Sequence, residues 1–166
     1  MPGNVPSVTT KSDFDEQDWA RIVRAPFVAG MAISLADPGG PIEAAKETMA
    51  TLKSATNPPS REQLLSEVAL DLQAMTQQHH NPLKGYKPTG ESPPGDQVLD
   101  ELRSVQTLVA AKAQPDEVAA FGSWMVQVAQ AAADAAKEGG FMGFKAEQVS
   151  QREKDMIEKV RAAVTG

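Results

Sequence analysis

PDEVAAFGSWMVQVAQAAADAAKEGGFMGF, residues 115–144, contains one long helix that opens at Pro115 and ends at Gly139-Gly140. Along it Ser123, Gln127, Gln130, Asp134 and Lys137 follow one another at alternating steps of four and three. On a helix of 3.6 residues per turn that spacing draws a single narrow polar stripe. Val118, Phe121, Trp124, Met125, Val126, Val128 and a run of alanines fill the remaining perimeter. A helix with so much apolar surface must be contacted on several sides. The segment 115–138 is therefore expected to be the central helix of an all-α bundle of about six helices, the size that one domain of this length accommodates.

Composition agrees with close-packed helices. Hydrophobic residues make up 41% of the 166-residue chain and aromatics only 5%, so the core must be built from Ala, Val, Leu and Met. A net charge of -6 argues against a nucleic-acid or anionic-membrane surface, because both require a concentrated positive field. The absence of cysteine excludes disulfides, thiolate nucleophiles and Cys-based metal sites. The N-terminus lacks the basic and apolar regions of a signal peptide. The longest apolar run, Ala25–Ala36, is about twelve residues against roughly twenty needed to span a bilayer. A soluble cytoplasmic protein is expected, with no membrane and no nucleic-acid partner.

Outward from the central helix, residues 1–11 read as a flexible tail and 12–166 as a single helical domain. Asp13 and Glu16 have the spacing of a capping box for the first helix, which carries Trp19, Ile22, Val23 and Phe27 to Leu35. Pro26 inside that pattern predicts a kink or break near Arg24. Ala29, Gly30, Ala32 and Ala36 leave room for close approach by another helix or by a second copy. After the turn Asp37-Pro38-Gly39-Gly40-Pro41, the second helix places Ile42, Ala45, Met49 and Leu52 on its apolar face. Ser60-Arg61-Glu62-Gln63 predicts a capped start to the third, which buries Leu64, Leu65, Val68, Leu72 and Met75. A fourth, over about Asp96–Lys112, aligns Val98, Leu102, Val105 and Val109, and its short link to Pro115 predicts an antiparallel hairpin. Ser150-Gln151-Arg152-Glu153 caps the last, with Met156, Ile157, Val160 and Val164 as its seam.

Between the third and fourth helices, HHNPLKGYKPTGESPPG (residues 79–95) has no periodicity. So long a link is either a crossover connection returning along the bundle or a binding segment, with Tyr86, Lys84 and Lys87 as contact residues. His79 and His80 are the only histidines, and Asp71 shares a helix face with His79 if the helix persists. These three are the candidate metal ligands, yet the Glu-x-x-His motif of di-iron bundles is missing, and a solvent-exposed histidine pair at a frayed helix end accounts for them better. Gly139-Gly140-Phe141-Met142-Gly143-Phe144-Lys145 lacks the adjacent Gly-Lys and hydroxyl of a phosphate loop, so its glycines turn the chain while Phe141 and Phe144 insert against neighbouring helices. No catalytic residue and no cofactor is indicated.

The run VAQAAADAAKEGGFMGFKAEQVSQREKDMIEKVRAAV, Val128–Val164, resembles the C-terminal end of an uncharacterised family of small bacterial all-helical proteins. In that family an Ala-rich helix enters a Gly-Gly-aromatic-x-Gly-aromatic loop and Val-Ser-x-x-Glu opens the last helix. Trp19–Gly40 resembles it more loosely. A fainter similarity is to tellurite-resistance B-type helical domains, although Asp134 is not followed by the glycine of their turn. Neither resemblance implies a catalytic residue. The functional expectation is a non-enzymatic interaction or assembly module; the alternative is a ligand- or metal-binding protein with a pocket near the 79–95 loop.

Overall fold

The computed structural model describes residues 9–37, 40–84, 86–88, 91–137 and 149–165. The Gly139–Phe144 loop and its expected docking lie outside the described residues. Those described form an all-α bundle of six helices: α1 (Glu16–Ala36), α2 (Pro41–Ala55), α3 (Gln63–Gln77), α4 (Pro94–Lys112), α5 (Pro115–Lys137) and α6 (Gln151–Thr165). A short 3-10 turn, Lys11–Asp13, precedes them.

α5 is the long central helix, lying against α2, α1 and α6. Phe121, Trp124, Met125, Val128, Ala129, Ala132 and Ala133 are buried, while Ser123, Gln127, Gln130 and Asp134 face outward. Gln130 Nε2 donates to Asp134 Oδ1 at 2.9 Å along that exposed stripe. Phe121 and Trp124 meet edge to face with ring centroids 6.2 Å apart, the arrangement aromatic quadrupoles favour. The indole of Trp124 donates to the Ser54 carbonyl at 3.0 Å, tying α5 to the end of α2.

α1 shares the interior. Asp15 caps it by accepting from the Asp18 amide at 2.8 Å, two residues later than the box expected from Asp13. Asp13 instead closes a box on Thr10 and belongs to the 3-10 turn. Of the kink or break expected near Arg24, the break does not occur: α1 is uninterrupted from Glu16 to Ala36. Proline removes the amide that would reach the Ile22 carbonyl, but Ile22, Ala25, Phe27, Val28, Ala29, Ala32 and Ile33 are all buried around it. That burial outweighs one lost hydrogen bond, because each large apolar side chain contributes about 1.5–3 kcal/mol. α1 has 21 residues and contains an 18-residue stretch of mean hydropathy 1.2, so by length and composition it is long and apolar enough to cross a bilayer, contrary to the estimate from its apolar run alone; 61% of that stretch is buried among the other helices, as in a core helix.

α4 runs against α1: Arg21 pairs with Glu101 at 2.8 Å, while Thr9, before α1, lies at the Lys112 carbonyl. Glu101 also holds the Arg21 guanidinium in its charged form through the hydrogen bond, raising its pKa against the opposing effect of burial. Within the expected α4–α5 hairpin the two helices pack only loosely, since α4 spends its apolar face on α1 and α6 instead. α6 begins in the expected box, with reciprocal Ser150–Glu153 hydrogen bonds at 3.1 and 3.2 Å. Its seam of Met156, Ile157, Val160 and Val164 is buried. α3 starts without the predicted cap: Glu62 precedes it with no side-chain bond, and the Ser60 hydroxyl is buried without a partner. Because α3 begins only at Gln63 with Glu62 in the cap position, Ser60 stands two residues ahead of the place from which a side chain caps the first turn.

The N-terminal segment is anchored where the structure describes it. Glu117 is buried and accepts from the Thr9 amide at 3.0 Å, the Thr9 hydroxyl, and the Gln114 amide at 2.9 Å. Thr9 is thus pinned to the α4–α5 corner, and the Lys11 amide donates to Glu67 of α3 at 2.7 Å, so neither belongs to a free tail.

Candidate functional site

Three of the residues singled out from the sequence, Asp71, His79 and His80, line one cleft of about 720 Å³ together with Lys84. The cleft lies between the first half of α1 and the second half of α3. Its end wall is built by the way α3 stops. His79 takes a left-handed backbone conformation (φ 58°), its amide bonding the Thr76 carbonyl at 3.0 Å while the His80 amide bonds the Met75 carbonyl at 2.8 Å. This is the Schellman closure, with histidine where glycine is usual. Asn81 then accepts from the Leu83 amide through its side chain at 3.0 Å, and the Lys84 and Tyr86 amides bond back to Asn81 and Leu83. Consecutive tight turns therefore fold residues 79–84 and Tyr86 against α1.

On the α1 side the cleft is walled by Trp19, Ala20, Val23 and Arg24. The Trp19 indole donates to Asp71 Oδ2 at 2.7 Å, and Lys11 Nζ lies 3.0 Å from the same oxygen. Phe14 supports the indole with ring centroids 5.9 Å apart. Asp71 is therefore committed to the wall. Among the described residues no three His, Cys, Asp or Glu side chains gather in metal-binding geometry. Arg24 lies over the Tyr86 ring, 5.4 Å from its centroid. Burial and the negative field of Glu101 raise the Tyr86 phenol pKa, with Arg24 opposing in part. Of the three contact residues expected from the loop, Lys84 lines the cleft, Tyr86 braces Arg24, and Lys87 is exposed away from it. Sequence reading missed Lys11, Trp19 and Arg24, because nothing local marks residues that meet α3 only through the tertiary fold.

The second exposed feature is the outer face of α2. Its expected apolar face points away from the bundle: Ile42 is 74% and Met49 66% exposed, and Ala45 is exposed beside them. The inward face carries Glu47, Thr51 and Ala55. The reason lies on α1 at Gly30, where a Cβ would stand 2.3 Å from Thr51 Oγ1. Small and hydroxyl-bearing residues allow α2 to seat closely there, and the Ser34 hydroxyl donates to Glu47. Of the small residues expected to serve self-association, Gly30 is covered from within by α2, Ala29 and Ala32 are buried in the bundle, and Ala36 is half-buried. Pro41, Ile42, Ala45, Lys46, Met49 and Lys53 form instead a shallow apolar groove closed by Ala135 of α5. No family model matches the chain, and neither a curated protein nor a solved structure matches it.

Proposed function

We propose that this is a non-enzymatic assembly module that self-associates through the outer face of α2. The observation that carries the reading is the exposure of Ile42 and Met49 on a helix whose other face already fills the bundle. Two large apolar residues one face apart on a single helix make a patch that water covers at a cost. The occupant that suits it is a second copy set antiparallel. In that arrangement Met49 meets Ala45 of the other copy, large against small, and Ile42 meets the half-buried Leu52. The acidic start of α2 at Glu43 then approaches Lys53 near its end. Such self-complementarity is what a two-fold interface requires. One helix pair is smaller than the interfaces of permanent dimers, so association is weak and dependent on concentration.

Sedimentation velocity across a concentration series from about 10 µM to 1 mM tests this, a range that brackets a dimer held by roughly 5–6 kcal/mol. Reversible dimerisation is expected for the native chain, and Ile42→Glu/Met49→Glu should stay monomeric with unchanged helicity. A native chain that remains strictly monomeric to 1 mM, or a double variant that dimerises equally, overturns the reading.

A further inference from the structure

We infer that the α1–α3 cleft is a separate binding site for an organic anion with an apolar body, of the class of aryl or medium-chain alkyl carboxylates. Its volume, about 720 Å³, lies in the range of small-molecule sites. Trp19, Val23 and Met75 supply the apolar wall. Its charges are unevenly matched. Lys11 and Asp71 neutralise one another at 3.0 Å, and Asp71 also holds the Trp19 indole. Arg24 and Lys84 remain, both lining the cleft and neither in an ion pair among the described residues.

The chain carries a net charge of -6, so two cations left over in one apolar recess stand out against its average field. Contact with the Tyr86 ring steadies Arg24 without committing its N–H donors to a carboxylate. A guanidinium held this way suits a carboxylate headgroup, with Lys84 as a mobile second charge. A bare inorganic anion would leave the Trp19–Met75 wall unused, and a neutral lipid-like molecule would leave both cations unanswered. Only a ligand carrying both parts satisfies both.

The test is a 1H–15N NMR titration of the full chain with sodium octanoate at neutral pH, with octan-1-ol and inorganic phosphate as its two halves in parallel. The chain has two indoles, which serve as reporter and control. The Trp19 indole N–H borders the cleft, whereas Trp124 is sealed in the core on Ser54. Octanoate should move the Trp19 indole signal saturably and leave that of Trp124 in place. Octanol should bind at least tenfold more weakly, and phosphate should give no saturable change. Arg24→Gln should raise the Kd for octanoate about tenfold and Lys84→Gln about threefold, where 1.4 kcal/mol is a factor of ten. Lys154→Gln, on the exposed side of α6, should leave it unchanged, and an unmoved Trp124 signal in each variant certifies the fold. The inference is overturned if octanoate causes no saturable movement, if octanol binds as tightly, if both indoles move together, or if Arg24→Gln binds like the native chain. None of these outcomes depends on whether α2 mediates self-association.

Discussion

Glu117 shows how much one side chain can hold. As the third residue of α5 it accepts from the Gln114 amide, half of a capping box, and from both donors of Thr9. Burial pushes its pKa up, but the hydrogen bonds from the Thr9 hydroxyl, the Gln114 amide and the Thr9 amide outweigh it, and the net shift is downward. A depressed folded-state pKa contributes stability that is fully present above the unfolded value and is lost as pH falls through the folded one. Glu117→Gln should therefore destabilise the protein at neutral pH by about 1–3 kcal/mol, and urea midpoints of the two proteins should converge as the pH is lowered into the carboxylate range. Midpoints separated equally at every pH would show that the charge is immaterial. His79 offers the opposite sign. Its left-handed conformation costs roughly 1–2 kcal/mol, while glycine loses about 0.5–1 kcal/mol in chain entropy, so His79→Gly should gain about 0.5 kcal/mol and His79→Val should lose more than 1 kcal/mol by the same measurement.

Among the elements, α2 is where periodicity misleads most. Ile42, Ala45, Met49 and Leu52 form the apolar line that a hydrophobic pattern assigns to the core, yet Glu47, Thr51 and Ala55 are the residues buried. Periodicity reports that a helix has two faces; the space offered by Gly30 decides which one fits. In chemical denaturation Met49→Gln should change stability by less than about 0.5 kcal/mol, as surface substitutions do. Thr51→Leu should lose about 1–3 kcal/mol by overpacking against α1. A reversed order would mean that α2 is turned the other way. The same closeness recurs where α5 meets α6, for a Cβ on Gly122 would lie 2.8 Å from the Val164 carbonyl oxygen. Backbone cannot step aside as a side chain can, so Gly122→Ala should lower the denaturation midpoint by an amount equivalent to about 1–3 kcal/mol.

For the molecule as a whole, the elements were legible in the sequence and their partnerships were not. The start of α5 at Pro115, the apolar seams of α3, α4 and α6 and the Ser150–Glu153 cap follow from local chemistry, and the structure has them. The continuity of α1 through Pro26, the hold of Glu117 on Thr9 and the bridge from Trp19 to Asp71 do not, since each depends on residues far apart in the chain. The candidate cleft was half visible: its α3 side was flagged by Asp71, His79 and His80, its α1 side by nothing. The helices that lie most fully against one another, α2 with α5 and α1 with α4, are separated by whole helices in sequence, whereas α4 and α5, neighbours in sequence, pack only loosely. The bundle is therefore woven rather than stacked from hairpins, and neither side of the long loop owns a core. Brief trypsin treatment that nicks after the exposed Lys84, the Lys87-Pro88 bond being resistant, should leave two pieces that elute together as one folded body. Once parted by denaturant, the piece from residue 85 onward should show little helix by circular dichroism until the other is restored, making this a two-part protein joined by a tether.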